Sequence, residues 1–216
     1  GRHKPLGLIG AIIVLVMTLA AIFAPLIAPY DYTEIVASER LKPPSTTYFF
    51  GTDNAGRDMF SRILFGARIS LRVGLSSVLI STTAATLLGV VSAYFGGWFD
   101  TILQRFVDAM QALPGLILVL TIMAVLGSGV NNVILAIAIG ASVSGSRVIR
   151  GAALSVKAQP YIEAARTLGA RDLRIIVQHV LPNVMAPAIT LASIGLGAAI
   201  LAESSLSFLG LGVPPD

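Results

Sequence analysis

Cysteine is absent from the 216 residues, and charge is scarce: Lys, Arg, Asp and Glu together make up 12% of the chain. The first absence excludes disulfides, thiolate metal sites and a cysteine nucleophile. The second excludes an ordinary soluble domain, in which charged residues run near about 25%. Histidine is limited to His3 and His179, so no serine–histidine pair can form inside an apolar span. No GxxxxGK[ST], HExxH or GxGxxG pattern occurs. The chain therefore has no catalytic constellation, and no metal or cofactor is expected. What is abundant is apolar surface, at 55% hydrophobic residues and mean hydropathy +0.84, which also excludes disorder. The net charge of +4 sits in short patches between long uncharged runs, the pattern of membrane topology and not of nucleic-acid binding.

A helix needs about 20 apolar residues to cross about 30 Å of hydrocarbon. Charge-free intervals lie at 5–30, 73–99, 109–146 and 180–202. The third is too long for one crossing and is interrupted by Gly127-Ser128-Gly129 and Asn131-Asn132, which divides it into 109–126 and 130–146. The predicted fold is all-α, a polytopic membrane bundle with five transmembrane helices. Pro114 and Pro187 are expected kink positions. Gly89 with Ala93, and Gly195, Gly197, Ala198 and Ala199, are expected to allow close helix approach.

Arg2, His3 and Lys4 precede the first interval, whose length exceeds the apolar core of a cleavable signal. A cytoplasmic N-terminus places nine basic residues inside (Arg2, Lys4, Arg105, Arg147, Arg150, Lys157, Arg166, Arg171, Arg174) and six outside, from Arg40 to Arg72. That majority sets the expected orientation. The chain starts at Gly1 and stops after Val213-Pro214-Pro215-Asp216, so a further helix is expected in the complete gene product. The five intervals carry no charge, so they hold no coupling site for a proton- or sodium-driven carrier, and energy must come from elsewhere.

The one long inside loop, 147–179, reads as a short capped helix at its centre. Pro160 suits the first helical position and Gly169 the C-terminal cap. Glu163 sits near the positive helix end, and Ala164, Ala165 and Leu168 form a smooth surface. A helix this short is marginal alone in water, so it packs on its own bundle or docks a partner. In the loop 31–72, Asp53, Arg57 and Asp58 form an expected ion-pair cluster. Arg62, Arg68 and Arg72 alternate with Ile63, Leu64, Phe65, Ile69 and Leu71 as in an interfacial helix.

Glu163-Ala164-Ala165, with Gly169 six positions after the Glu and then Leu181-Pro182, resembles the EAA loop of permease subunits of bacterial ABC importers. One departure is His179, which stands where an aliphatic residue is usual and reads as a structural loop-end histidine. Two further stretches are similar to the C-type permease of dipeptide, oligopeptide and nickel importers. One runs through Gly51-Thr52-Asp53, Gly56-Arg57-Asp58, Ser61-Arg62 and Gly66-Ala67-Arg68-Ile69-Ser70-Leu71; the other is Glu203-Ser204-Ser205-Leu206-Ser207-Phe208-Leu209-Gly210-Leu211-Gly212 up to Pro215.

The resemblance covers nearly the whole chain, as one permease domain over 1–216 that lacks the family's sixth helix, with a coupling loop at 147–180. It implies a bacterial inner-membrane subunit that transports peptides, nickel or other small solutes. Its implied partners are a second permease, two ATP-binding subunits, an extracytoplasmic solute-binding protein and membrane lipid, and no nucleic acid. Glu163, Ala164, Ala165, Leu168 and Gly169 are implied to couple to the ATPase, which hydrolyses ATP in place of this chain. Substrate-lining residues stay unassigned. The competing readings are a stand-alone secondary carrier or channel, and a membrane scaffold.

Overall fold

Helices account for the architecture of the computed structural model, which describes residues 5–212. Among these residues no strand occurs, and the only bridge is an isolated antiparallel pair between Thr52 and Asp58. The basic stretch at 2–4 and the terminal residues 213–216 lie outside the described residues. The chain divides into two compact units, one reaching to Arg72 and the other starting at Val73.

In the first unit, α1 (Pro5–Ile22) and the single turn α2 (Ala24–Ile27) lead into a loop that ends where α3 (Met59–Phe95) begins. Asp58 caps that start. Its Oδ2 accepts from the N–H and the hydroxyl of Ser61 at 2.8 and 2.7 Å, filling a donor that the first helical turn leaves open. Asp53 organises the loop before it. Its carboxylate accepts from the N–H groups of Ala55 (2.7 Å) and Arg57 (3.0 Å) and from Arg57 Nε (2.9 Å), and it pairs with Arg62. The expected Asp53–Arg57 cluster is therefore present, with Arg62 as a third member and Asp58 used as a cap.

Burial pushes the Asp53 carboxyl upward, but the hydrogen bonds from Arg57 and Ala55 and the Arg57 charge outweigh it. The pKa settles at about 2, against an ordinary 3.8. A carboxylate lowered in the folded state contributes stability that is full above its ordinary pKa and lost as pH falls through the folded value. Hydrogen-exchange protection over 51–58 is accordingly expected to fall between about pH 4 and pH 2. Asp53→Asn is expected to lower that protection at neutral pH and to flatten the pH dependence. A wild-type profile as flat as the variant's contradicts this role for Asp53.

The second unit contains most of α3, α4 (Gly97–Gln111), α5 (Gly115–Leu126), α6 (Val130–Lys157), α7 (Pro160–Thr167), α8 (Asp172–Ile175), a π turn (Ile176–Val180) and α9 (Leu181–Phe208). Among the described residues three helical runs are long and apolar enough to cross a membrane, Met59–Phe95, Val130–Lys157 and Asp172–Phe208, with the bent pair α4–α5 a fourth if it counts as one span. Leu79, Ile194 and Leu201 on these runs are 69–70% exposed, an outward apolar surface that suits lipid or a partner helix and not water. The molecule is an all-α polytopic membrane bundle.

Two expectations are corrected. The crossing expected at 109–126 is not one straight helix: α4 ends at Gln111, α5 starts at Gly115, and the two meet at 93°. Pro114 offers no N–H to an earlier carbonyl and pushes Leu113 out of the helical region, so the helix stops and restarts in a new direction. At about 1.5 Å per residue the 12 residues of α5 reach only about 18 Å. The interfacial helix expected around Arg62, Arg68 and Arg72 is likewise not separate, being the first part of the 37-residue α3. Pro187 sits inside α9 without ending it.

Charge-free spans are also a property of the intervals and not of the helices. α6 continues past 146 through Arg147, Arg150 and Lys157, and α9 continues past 202 through Glu203, which is 5% exposed and accepts from Ser207 Oγ at 3.0 Å. Backbone hydrogen bonding does not stop where hydrocarbon does.

Candidate functional site

The helical loop between α6 and α9 starts as its residues require. Pro160 opens α7, where its missing N–H costs nothing, with Gln159 extended before it. Gly169 ends it at φ +81°, a left-handed value that a side chain resists. The N–H of Ala170 bonds the carbonyl of Ala165 at 3.0 Å and that of Gly169 bonds Arg166 at 2.9 Å, the paired closing bonds of a Schellman cap. α7 therefore spans Pro160–Thr167, with Leu168 at its C-cap, one residue short of the 160–168 that the Pro and Gly positions predict.

The five residues singled out in sequence come together on this element, but not on one face. Glu163, Ala164, Leu168 and Gly169 are exposed, Leu168 at 88%, whereas Ala165 is half-buried against the core. The opposite side of α7 holds it down. Ile162 is 1% exposed and enters a cluster with Val90 and Ala93 of α3, Ile149 and Ala153 of α6, Ile175 of α8 and Val184 of α9. Burying one isoleucine contributes about 1.5–3 kcal/mol, enough to dock a helix that is marginal alone. Packing on the bundle and presenting a surface are thus not alternatives: one face does each.

Polar contacts surround this seat. Tyr94, 4% exposed at the end of α3, donates its hydroxyl to Asp172 Oδ1 at 2.6 Å. Lys157 Nζ donates to the carbonyls of Ala93 and Tyr94 at 3.1 and 2.6 Å, satisfying acceptors that the last turn of α3 leaves open. Arg150 of α6 grips Asp100 of α4 with two prongs, one of them Nε to Oδ1 at 2.7 Å, and Ser92 donates to the same carboxylate. Arg147 pairs with Asp108. His179 lies in the π turn with its ring 6.0 Å from that of Tyr161. Among the described residues no cluster of His, Asp or Glu has the makings of a metal site.

Sequence reasoning missed Ile162, Tyr94, Asp172, Lys157, Asp100 and Arg150. For Ile162 a signal existed, since Ile162 and Ala165 are three apart and mark the inward side of α7. Tyr94 and Asp172 are 78 positions apart and carry none.

An apolar helix bundle with a short amphipathic helix mounted on it is the build of a membrane permease subunit. Residues 85–215 match the model for the binding-protein-dependent transport system inner membrane component, and residues 2–44 match the N-terminal TM domain of oligopeptide transport permease C. The chain belongs to this family of ABC importer permeases. It is 42% identical over 211 residues to the dipeptide transport system permease protein of Alkalihalophilus pseudofirmus, covering 98% of this chain and 69% of that one. It is 40% identical over 215 residues to the glutathione transport system permease proteins of Escherichia coli O6:K15:H31 and Shigella sonnei, covering 99% of this chain and 71% of each. It is a multi-pass inner-membrane permease subunit that works within a transporter complex.

Proposed function

We propose that this permease subunit imports short peptides, with its N-terminus in the cytoplasm and the loop 147–180 as the contact to an ATP-hydrolysing partner. A second permease completes the translocation path, two ATP-binding subunits supply the energy, and an extracytoplasmic binding protein delivers the solute. The dipeptide and glutathione named for the relatives, both peptides, support that substrate class.

The observation that carries the coupling role is the two-sidedness of α7. Ile162 at 1% exposure is fixed in the bundle while Leu168 at 88% projects from it. Leu173 at 72% and Tyr161 are exposed as well, so the loop presents several large apolar side chains, as a docking surface does. Ala164, one turn before Leu168, and Gly169, next to it, are exposed with it; Glu163 is exposed further round α7, and Ala165 packs against the bundle. When nucleotide closes the ATPases, the cleft holding α7 moves and carries the helix with it.

Two measurements test this. Mild-detergent purification of the tagged full-length protein is expected to bring along a second permease and ATPases with phosphate-binding loops. Because the chain has no native cysteine, Leu168→Cys is expected to give a single cross-link from α7 to an ATPase. A homo-oligomer lacking ATPase, under conditions that keep a control importer intact, returns the reading to a carrier or channel.

A further inference from the structure

We propose that Tyr94 is a positioning residue that locks the α7–α8 loop to the end of α3, so that displacement of the loop is passed to that transmembrane helix. This rests on α7 being the ATPase-docking element. The apolar seat of Ile162 and Ile175 holds α7 and α8 to the bundle, but apolar burial is non-directional and tolerates sliding. Direction comes from Tyr94. Its hydroxyl bonds the Asp172 carboxylate at 2.6 Å, the Arg166 guanidinium of α7 lies 5.4 Å from its ring centroid, and Lys157 Nζ at the end of α6 lies 5.8 Å from it. One aromatic side chain thus touches α6, α7 and α8 at once.

Its own base is stiff. Lys157 holds the carbonyls of Ala93 and Tyr94, and Gly96 at φ +65° ends the helix two residues later. Behind it, the two-pronged Arg150–Asp100 pair and the Ser92 hydroxyl tie the start of α4 to α6 and α3. A phenol-to-carboxylate bond is charge-assisted and geometrically specific, so it fixes the register that the apolar seat leaves free. Removing the hydroxyl alone leaves the ring, and with it the packing, in place.

The test uses the complete transporter in lipid, with spin labels on Leu87→Cys in α3 and Thr167→Cys in α7. Both positions are exposed, and neither joins the latch. The label-to-label distance is measured nucleotide-free and after trapping with ATP and vanadate. With Tyr94 present, one narrow distance unchanged by trapping is expected, because the two segments move as one body. In Tyr94→Phe the distribution is expected to broaden and to shift on trapping, while ATP hydrolysis continues. The loss of one hydrogen bond to a charged group should raise the share of displaced α7 by roughly tenfold. Asp172→Ala should do the same, and the double variant no more than either.

A narrow, unshifted distance in Tyr94→Phe overturns the proposal. So does failure of both variants to assemble, since the contact is then merely structural. If the Leu168→Cys cross-link forms while Tyr94→Phe stays narrow, only the latch falls. If the cross-link to an ATPase does not form, the docking role itself fails.

Discussion

Replacing Glu163 with lysine is expected to cut ATP-driven uptake by roughly tenfold or more, while the protein still reaches the membrane and ATP hydrolysis continues. Glu163 is exposed in the first turn of α7, beside the positive end of the helix. Reversing its charge sets a cation against that end, a penalty of about 0.3–1 kcal/mol, and places a like or unmatched charge in the docking contact, where mismatch costs several kcal/mol. About 1.4 kcal/mol already gives a factor of ten. Ile162 stays buried, so folding is preserved. Glu163→Gln separates the two effects: it removes the charge without reversing it and is expected to retain an intermediate rate. The measurement is uptake and hydrolysis side by side in reconstituted vesicles. Wild-type uptake in Glu163→Lys removes Glu163 from the contact.

Gly89→Leu is expected to abolish accumulation of the folded protein. A Cβ built on Gly89 would lie 2.6 Å from the carbonyl oxygen of Ser146, 2.8 Å from the backbone nitrogen of Arg150 and 2.9 Å from the Cβ of Ile149. Two of these are backbone atoms of α6, so no rotamer change relieves the clash, and the helices must separate. Overpacking costs about 1–3 kcal/mol even where side chains can adjust. Here separation also opens the cluster of Val90, Ala93, Ile149 and Ala153 that seats Ile162. Gly151→Leu is the matched control. It lies on α6, is exposed, and has no atom within 4 Å of its added Cβ. Membrane levels measured by immunoblot and by fluorescence-detected gel filtration should fall for Gly89→Leu and hold for Gly151→Leu. Equal levels for the two would show that α3 and α6 do not depend on this close approach.

Gly89 marks how far sequence reasoning reaches. Its pairing with Ala93 points to close helix approach, but which helix it meets is not written in the pair. α7 was legible almost to the residue, because Pro160 and Gly169 act on their own backbone and need no distant partner. The right-angle break before α5 was half legible: Pro114 was a kink candidate, yet the uncharged run around it read as one crossing, since hydropathy carries no direction. In sequence Glu203 reads as the start of a separate motif and not as part of the last long helix, because it stands one residue beyond an interval defined by absence of charge, while α9 runs on to Phe208.

Local chemistry decided the membrane class, the helix caps, the EAA spacing and the Asp53–Arg57 pairing, each of which is written in one continuous stretch of sequence. The packed structure alone decided the seat of Ile162, the Lys157 cap on α3, the Arg150–Asp100 grip and the Tyr94–Asp172 bond, whose partners stand 64, 50 and 78 positions apart in the last three. Hydrogen bonds over such separations have no period and no spacing in sequence. They exist because α3, α6 and α9 pack around one apolar cluster and carry their polar ends to the same place.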